Sequence, residues 1–213
     1  MQIEIVRSFS ELKERFPDKL IVEEDGYYTV FLEENIVKKF LKPRTDFAVK
    51  EILSKNFFPK HIVEEIFVQK KLFETQALKI AKKYGEGLFL EGGAGVGKTF
   101  ACIYAISDLV RMYKVSAPLY VSCIAYRKIL WDLYPDSDCY LIDDLNMNLE
   151  TFELKLVERI VYTAWNERRY LFITSNTALE KLRKILSEPI ISRIFSLCQY
   201  AKIEDRDWRI EKE

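Results

Sequence analysis

Histidine occurs once, at His61, and cysteine four times, at Cys102, Cys123, Cys139 and Cys198, each alone in an apolar run with no Cys-x-x-Cys pair. A structural zinc site therefore has no ligand set to draw on. Thiols scattered in this way read as buried and reduced, which fits a cytoplasmic setting better than a disulfide framework. Neither sign of charge is in excess, with 33 Lys and Arg against 33 Asp and Glu. Nothing in that balance demands nucleic acid as a partner, so any such contact has to come from a local patch or from assembly of several subunits. No apolar run approaches the ~18 residues of a membrane span, and Met1-Gln2-Ile3-Glu4-Ile5 lacks the basic and apolar regions of a signal peptide. Gly/Ser-rich linkers and internal repeats are missing as well. The expectation is a globular, unanchored, cytoplasmic chain.

The 213 residues leave room for one α/β domain of roughly 150 residues and a smaller appendage. Residues 1–62 read as that appendage, a small N-terminal α+β module: a short helix near Glu11–Phe16, then two β-rich runs, Leu20-Ile21-Val22 and Tyr27 to Leu32. Asp25-Gly26 between the two runs predicts a hairpin, because both residues tolerate the positive φ of a tight turn. Lys42-Pro43 and Phe58-Pro59 punctuate a helical stretch, and a helix is predicted from Val63 to Tyr84, with Phe73, Ala77, Ile80, Ala81 and Tyr84 on one face. In residues 63–213, short apolar strands are predicted at Gly87–Leu90, Leu119–Ser122, Cys139–Ile142, Tyr170–Thr174 and Gln199–Ile203. Helical patterns separate them, Thr99–Tyr113 and Phe152/Leu156/Ile160/Ala164 among them. Alternation of this length predicts a parallel sheet covered on both faces.

Between the first of those strands and its helix lies Gly92-Gly93-Ala94-Gly95-Val96-Gly97-Lys98-Thr99, the G-x-x-x-x-G-K-T pattern of a Walker A loop. Gly92, Gly95 and Gly97 allow backbone angles that aim successive N–H groups at phosphate oxygens, at the positive end of the following helix. Lys98 is placed to neutralise the β/γ-phosphates of ATP, and Thr99 offers a hydroxyl to Mg²⁺, which takes hard oxygen ligands. Cys139 to Asp144 is an apolar strand ending in two carboxylates, a Walker B element: Asp143 is the metal-side acid, and Asp144 is placed to polarise the attacking water. A water-polarising aspartate, one methylene shorter than the glutamate of many fast ATPases, points to slow, switch-like hydrolysis. Leu171-Phe172-Ile173 runs into Thr174-Ser175-Asn176, so Asn176 is a candidate for touching the γ-phosphate or the water. The competing reading is a helix N-cap by Ser175 or Asn176 before Ala178–Leu186.

These elements, taken in order over residues 69–209, resemble the AAA+ ATPases of the DnaC, DnaI and IstB type, bacterial replicative helicase loaders and transposition helper ATPases. The resemblance rests on Gln69, the loop Gly92–Thr99, Leu141-Ile142-Asp143-Asp144-Leu145, Thr174-Ser175-Asn176, Ile191-Ser192-Arg193-Ile194 and Asp207-Trp208-Arg209. It implies a three-layer P-loop NTPase with a five-stranded parallel sheet of order 5-1-4-3-2, Asn176 as sensor 1, and Arg193 as an arginine finger reaching a neighbouring subunit's ATP. A surface arginine in a local ion pair is the alternative for Arg193. It further implies ATP and Mg²⁺ as cofactors, a replicative helicase or a transposase as partner, single-stranded DNA as a ligand, and nucleotide-dependent homo-oligomers. Three positions depart from the pattern. The stretch from Ser122 to Cys139 is short, Asn146 follows Asp143-Asp144-Leu145 where the family usually has glycine, and the absence of cysteine before Cys102 excludes a zinc-type N-terminal module. Tyr126-Arg127-Lys128 with Trp131 interleaves rings and cations as single-strand binders do, although at helical spacing such rings also form core. A metabolic phosphotransferase on the same loop is the rival from another class, but no Asp-Arg-x motif follows the second strand. The missing Asn-Lys-x-Asp disfavours a GTPase, and the missing Leu-Ser-Gly-Gly-Gln an ABC engine.

Overall fold

A computed structural model describes residues 4–33, 36–68, 74–123 and 134–208. The chain opens with β1 (Glu4–Ile5), α1 (Phe9–Arg15), β2 (Leu20–Glu24), β3 (Tyr27–Glu33) and β4 (Ile36–Leu41), and its four strands form one sheet of order β1-β4-β3-β2. The β2–β3 hairpin turns at Asp25-Gly26, where only Gly26 takes a positive φ, of 74°. Val6, Leu12, Ile21, Tyr28, Val30 and Phe40 make a small core of their own. Strand β4 was not apparent in the sequence, because Lys38 stands at an inward position and breaks the alternation. Its ammonium lies 5.0 Å from the centre of the Phe40 ring and reaches Glu4 at 2.8 Å.

Helices α2 (Asp46–Lys55) and α3 (Lys60–Val68) follow, each short and amphipathic. Val49, Leu53, Phe58, Val63 and Ile66 belong to the core of the larger unit, not to that of the N-terminal sheet. The two cores thus divide after Leu41, before the expected boundary at residue 62. The helix predicted over 63–84 is two helices: α3 ends at Val68, and α4 (Gln76–Lys83) starts afresh where Thr75 Oγ1 caps Leu78 N at 3.0 Å. Phe73 lies outside the described residues.

The larger unit alternates β5 (Leu88–Gly92), α5 (Lys98–Arg111), β6 (Pro118–Ser122), β7 (Cys139–Asp143), α6 (Thr151–Glu167), β8 (Tyr170–Ser175), α7 (Leu179–Leu182), α8 (Glu188–Leu197) and β9 (Gln199–Ile203). Its five strands are all parallel, in the order β6-β7-β8-β5-β9; counted within this sheet and read from the β9 edge, that is 5-1-4-3-2. Side chains alternate between two cores. Leu88, Leu90, Leu141 and Phe172 pack with α2 to α5, while Phe89, Tyr140, Ile142, Leu171 and Ile173 pack with α6 and α8. Burial on both faces is why these strands read as unbroken apolar runs. On α6, Leu156, Ile160 and Ala164 are buried as the stripe predicts, whereas Phe152 in the first turn is exposed. The helix expected over Ala178–Leu186 shrinks to the single turn α7, and Ser187 with Pro189 then starts α8. Parallel strands end at one edge, so β5, β7 and β8 deliver Gly92, Asp143 and Ser175 side by side.

Candidate functional site

The loop after β5 passes directly into the N-terminus of α5. Gly97, at φ 86°, is the N-cap, and Gly95 is also left-handed at φ 76°. Gly95 is constrained twice, since a Cβ there would lie 1.7 Å from Asp207 Oδ1. The neighbouring Trp208 N donates to Gly95 O at 3.1 Å, so the residues after β9 fold back onto the loop. Val96 is buried in the core and anchors the loop from below. Lys98, itself 5% exposed, donates from Nζ to Gly92 O (3.0 Å), Gly93 O (2.6 Å) and Asn176 Oδ1 (2.7 Å).

Asp143, at the end of β7, is the hub of a second cluster. Its Oδ1 accepts from Thr99 Oγ1 at 2.8 Å and Thr174 Oγ1 at 2.6 Å, and its Oδ2 from Tyr120 Oη at 2.6 Å. Burial first, and then the negative charge of Asp143, push the Tyr120 hydroxyl well above the ordinary tyrosine range, so it remains a donor. Asp144 takes a left-handed backbone at φ 57°, fixed by its N–H to Thr174 Oγ1 at 2.9 Å and by Asn146 Nδ2, which donates to its carbonyl at 2.8 Å. Asn146 thus supports the turn at the position where glycine was expected.

Asn176 joins the two halves. Its Oδ1 accepts from Lys98 while its Nδ2 donates to Asp144 Oδ1 at 3.0 Å, an orientation of the amide that ammonium and carboxylate both require. The N-cap of α7 is Ala178, so neither Ser175 nor Asn176 serves there. A cleft of about 380 Å³ opens over this constellation, walled by Ala94, Gly95, Gly97, Lys98, Thr99 and Phe100 on one side and by Asp144 and Asn176 on another. His61, Ile62 and Glu65 of α3 close a third side.

The donor set fits a magnesium–nucleotide. Backbone N–H groups and Lys98 converge at the start of a 14-residue helix, which suits phosphate. Thr99 and Asp143 supply adjacent hard oxygens, and no cluster of three or more His, Cys, Asp or Glu fit for a metal occurs among the described residues. Hard oxygens such as those of Thr99 and Asp143 are the kind that Mg²⁺ takes.

Arg193 is not among the residues lining the cleft. It sits on α8, where Nη1 donates to Pro189 O at 3.0 Å and the guanidinium stacks over Trp165 (4.9 Å to the ring centre) and Tyr162 (5.4 Å) of α6. Its partners among the described residues are thus rings and a carbonyl. Sequence reasoning missed Tyr120 and the α3 residues. A tyrosine in the strand beside Walker B was the available signal for Tyr120, and no local pattern marks α3. Gln69, Arg209 and the Tyr126-Arg127-Lys128 and Trp131 patch lie outside the described residues. Cys102, Cys139 and Cys198 are buried and Cys123 partly so, and burial raises all four thiols above their usual range.

The fold is shared with several solved replication proteins. It matches the crystal structure of the DnaC helicase loader (16% identity, TM-score 0.51, covering 65% of this chain and 96% of that one) and that of DnaI (21%, 0.53, 71% and 94%). It also matches the replication initiator DnaA bound to AMPPCP and single-stranded DNA (18%, 0.50, 70% and 52%). No protein-family model matches the chain, and no curated protein sequence does either. Among the described residues, no helix is long and apolar enough to cross a membrane.

Proposed function

We propose that this chain, built on the AAA+ fold of DnaC and DnaI, is an ATP-binding, slowly hydrolysing switch ATPase. In this reading it acts in DNA replication by assembling with a replicative helicase, on single-stranded DNA, or both. The observation that carries the ATPase reading is the Asn176 amide, which links the phosphate-side Lys98 to the water-side Asp144 across 2.7 and 3.0 Å. A loop that only bound phosphate has no need of a carboxylate held at that distance from its lysine.

Each residue then has a task. The loop N–H groups and Lys98 hold the β/γ-phosphates, and Thr99 and Asp143 are the residues that would hold Mg²⁺. When bound, the cation neutralises charge on the phosphates. Asp144, strained into a left-handed backbone, aims its carboxylate into the cleft, where it is placed to accept a proton from water. Asn176 keeps Lys98 and Asp144 in register. Arg193, away from its own cleft, is assigned to a neighbouring subunit's nucleotide. The N-terminal sheet is assigned to docking a protein partner. Supporting this, Leu20, Phe31 and Val37 form one cross-strand row on its outer face and are 64%, 39% and 50% exposed.

Titration of a fluorescent ATP analogue tests the central reading. Lys98→Ala is expected to abolish binding in the presence of Mg²⁺, and undiminished affinity in that variant removes the proposal.

A further inference from the structure

Asp143 is gripped from a side that the phosphate-binding motif does not explain. Thr99 on α5 and Thr174 on β8 both donate to Oδ1, whereas Oδ2 receives the Tyr120 hydroxyl from β6. A carboxylate held only at Oδ1 can still turn about its Cβ–Cγ bond, and a donor on the second oxygen stops that rotation. Because Thr99 gives its proton to Asp143, the lone pairs of its hydroxyl are left for another partner. The direction in which they are presented follows the plane of the carboxylate.

The tyrosine is itself aimed. Tyr120 N donates to Asn56 O at 3.2 Å, and the Phe58 ring packs on the Tyr120 ring at 5.6 Å between centres. Asn56 and Phe58 form the corner between α2 and α3, and α3 walls the cleft through His61, Ile62 and Glu65. One chain of contacts therefore runs from the α2–α3 corner through Tyr120 to Asp143 and Thr99.

We infer that Tyr120 is a positioning residue for the magnesium site: its hydroxyl fixes Asp143 so that Thr99 presents its oxygen to the cation, and its ring ties that arrangement to the α2–α3 corner. The inference rests on the ATPase reading above and adds a residue to it.

The test is Tyr120→Phe, which keeps the ring packing and removes only Oη. A fluorescent ATP analogue is titrated in EDTA and then at increasing Mg²⁺, with thermal melting recorded alongside. Affinity in EDTA is expected to match the parent, while the Mg²⁺ concentration for half-maximal binding rises about tenfold or more, as loss of one hydrogen bond to a charged group implies. An unchanged midpoint overturns the inference, and so does an equal loss of affinity in EDTA, since that is the mark of a general structural role. Phe58→Leu, which leaves the hydroxyl but loosens the ring, is expected to raise the midpoint by a smaller factor. It decides the matter if Tyr120→Phe does not fold, an unchanged midpoint again counting against the inference. A parent chain that binds nucleotide with no response to Mg²⁺ overturns this inference and leaves nucleotide binding standing. A parent that binds no nucleotide removes both.

Discussion

Asp143 and Asp144 are neighbours in sequence with opposite surroundings. Asp143 is buried and accepts three hydroxyl donors, which fix the orientation of its carboxylate. Asp144 faces the cleft and receives Asn176 Nδ2 on one oxygen. Their substitutions should therefore separate. Asn is the suitable replacement for Asp144, since it tolerates the left-handed backbone there and its amide oxygen still accepts from Asn176. Asp144→Asn is expected to keep nucleotide affinity within about twofold and to slow single-turnover hydrolysis by roughly a hundredfold or more, the usual worth of a positioned general base. Asp143→Asn should instead weaken only the Mg²⁺-dependent part of binding. Hydrolysis at the parent rate in Asp144→Asn would reassign the water-polarising role.

The N-terminal strands and the two helices after them are adjacent in sequence but belong to different cores, and truncation reads that division directly. Removing residues 1–41 takes away a sheet whose buried side chains pack among themselves, apart from polar bridges such as Arg7 to Asp108 at 3.3 Å. The shortened chain is expected to fold and bind nucleotide like the parent. Removing residues 1–62 also strips Val49, Leu53 and Phe58 from the main core, with Asn56 O from the edge of β6. Buried side chains of this size are worth about 2–5 kcal/mol each, so that chain should be unstable or insoluble. Equal melting temperatures for the two truncations would refute the division. The shorter truncation also tests the docking role, because capture of the helicase as efficiently as by the full chain would end that assignment.

At the scale of the whole molecule the question is assembly. Arg193 stacks on Trp165 and Tyr162 of its own chain and does not line its own cleft. An arginine so placed acts on a nucleotide only if a second subunit brings its cleft to α8. Hydrolysis per subunit is accordingly expected to rise with protein concentration, or with single-stranded DNA that lines subunits up. Mixing Lys98→Ala chains, which keep the arginine, with Arg193→Ala chains, which keep an intact loop, should restore activity above either alone. Arginine fingers supplied in trans reach ~10³–10⁵ in rate; a slow switch should show far less, about tenfold at minimum. If Arg193→Ala hydrolyses normally by itself, the assembly reading fails.

The sequence alone specified the residues whose chemistry needs contiguity. Phosphate binding takes successive backbone N–H groups, so Gly92 to Thr99 had to be one uninterrupted segment. Asp143, Asp144 and Asn176 stand where apolar strands end, and in a parallel sheet those ends share an edge. Strand positions were legible for the same reason, since burial on both faces writes itself as unbroken apolar runs. Only tertiary structure decided what depends on long-range approach. Tyr120 meets Asp143 across neighbouring strands, α3 arrives at the cleft from before the break that Thr75 caps, and Asp207 closes on Gly95 from the far end of the chain. The same holds for β4, whose inward lysine needs Glu4 to make sense, and for Arg193, whose neighbours come from a different helix. In each case the partner lies tens of residues away, where no local period or propensity reaches, and folding alone brings the two together.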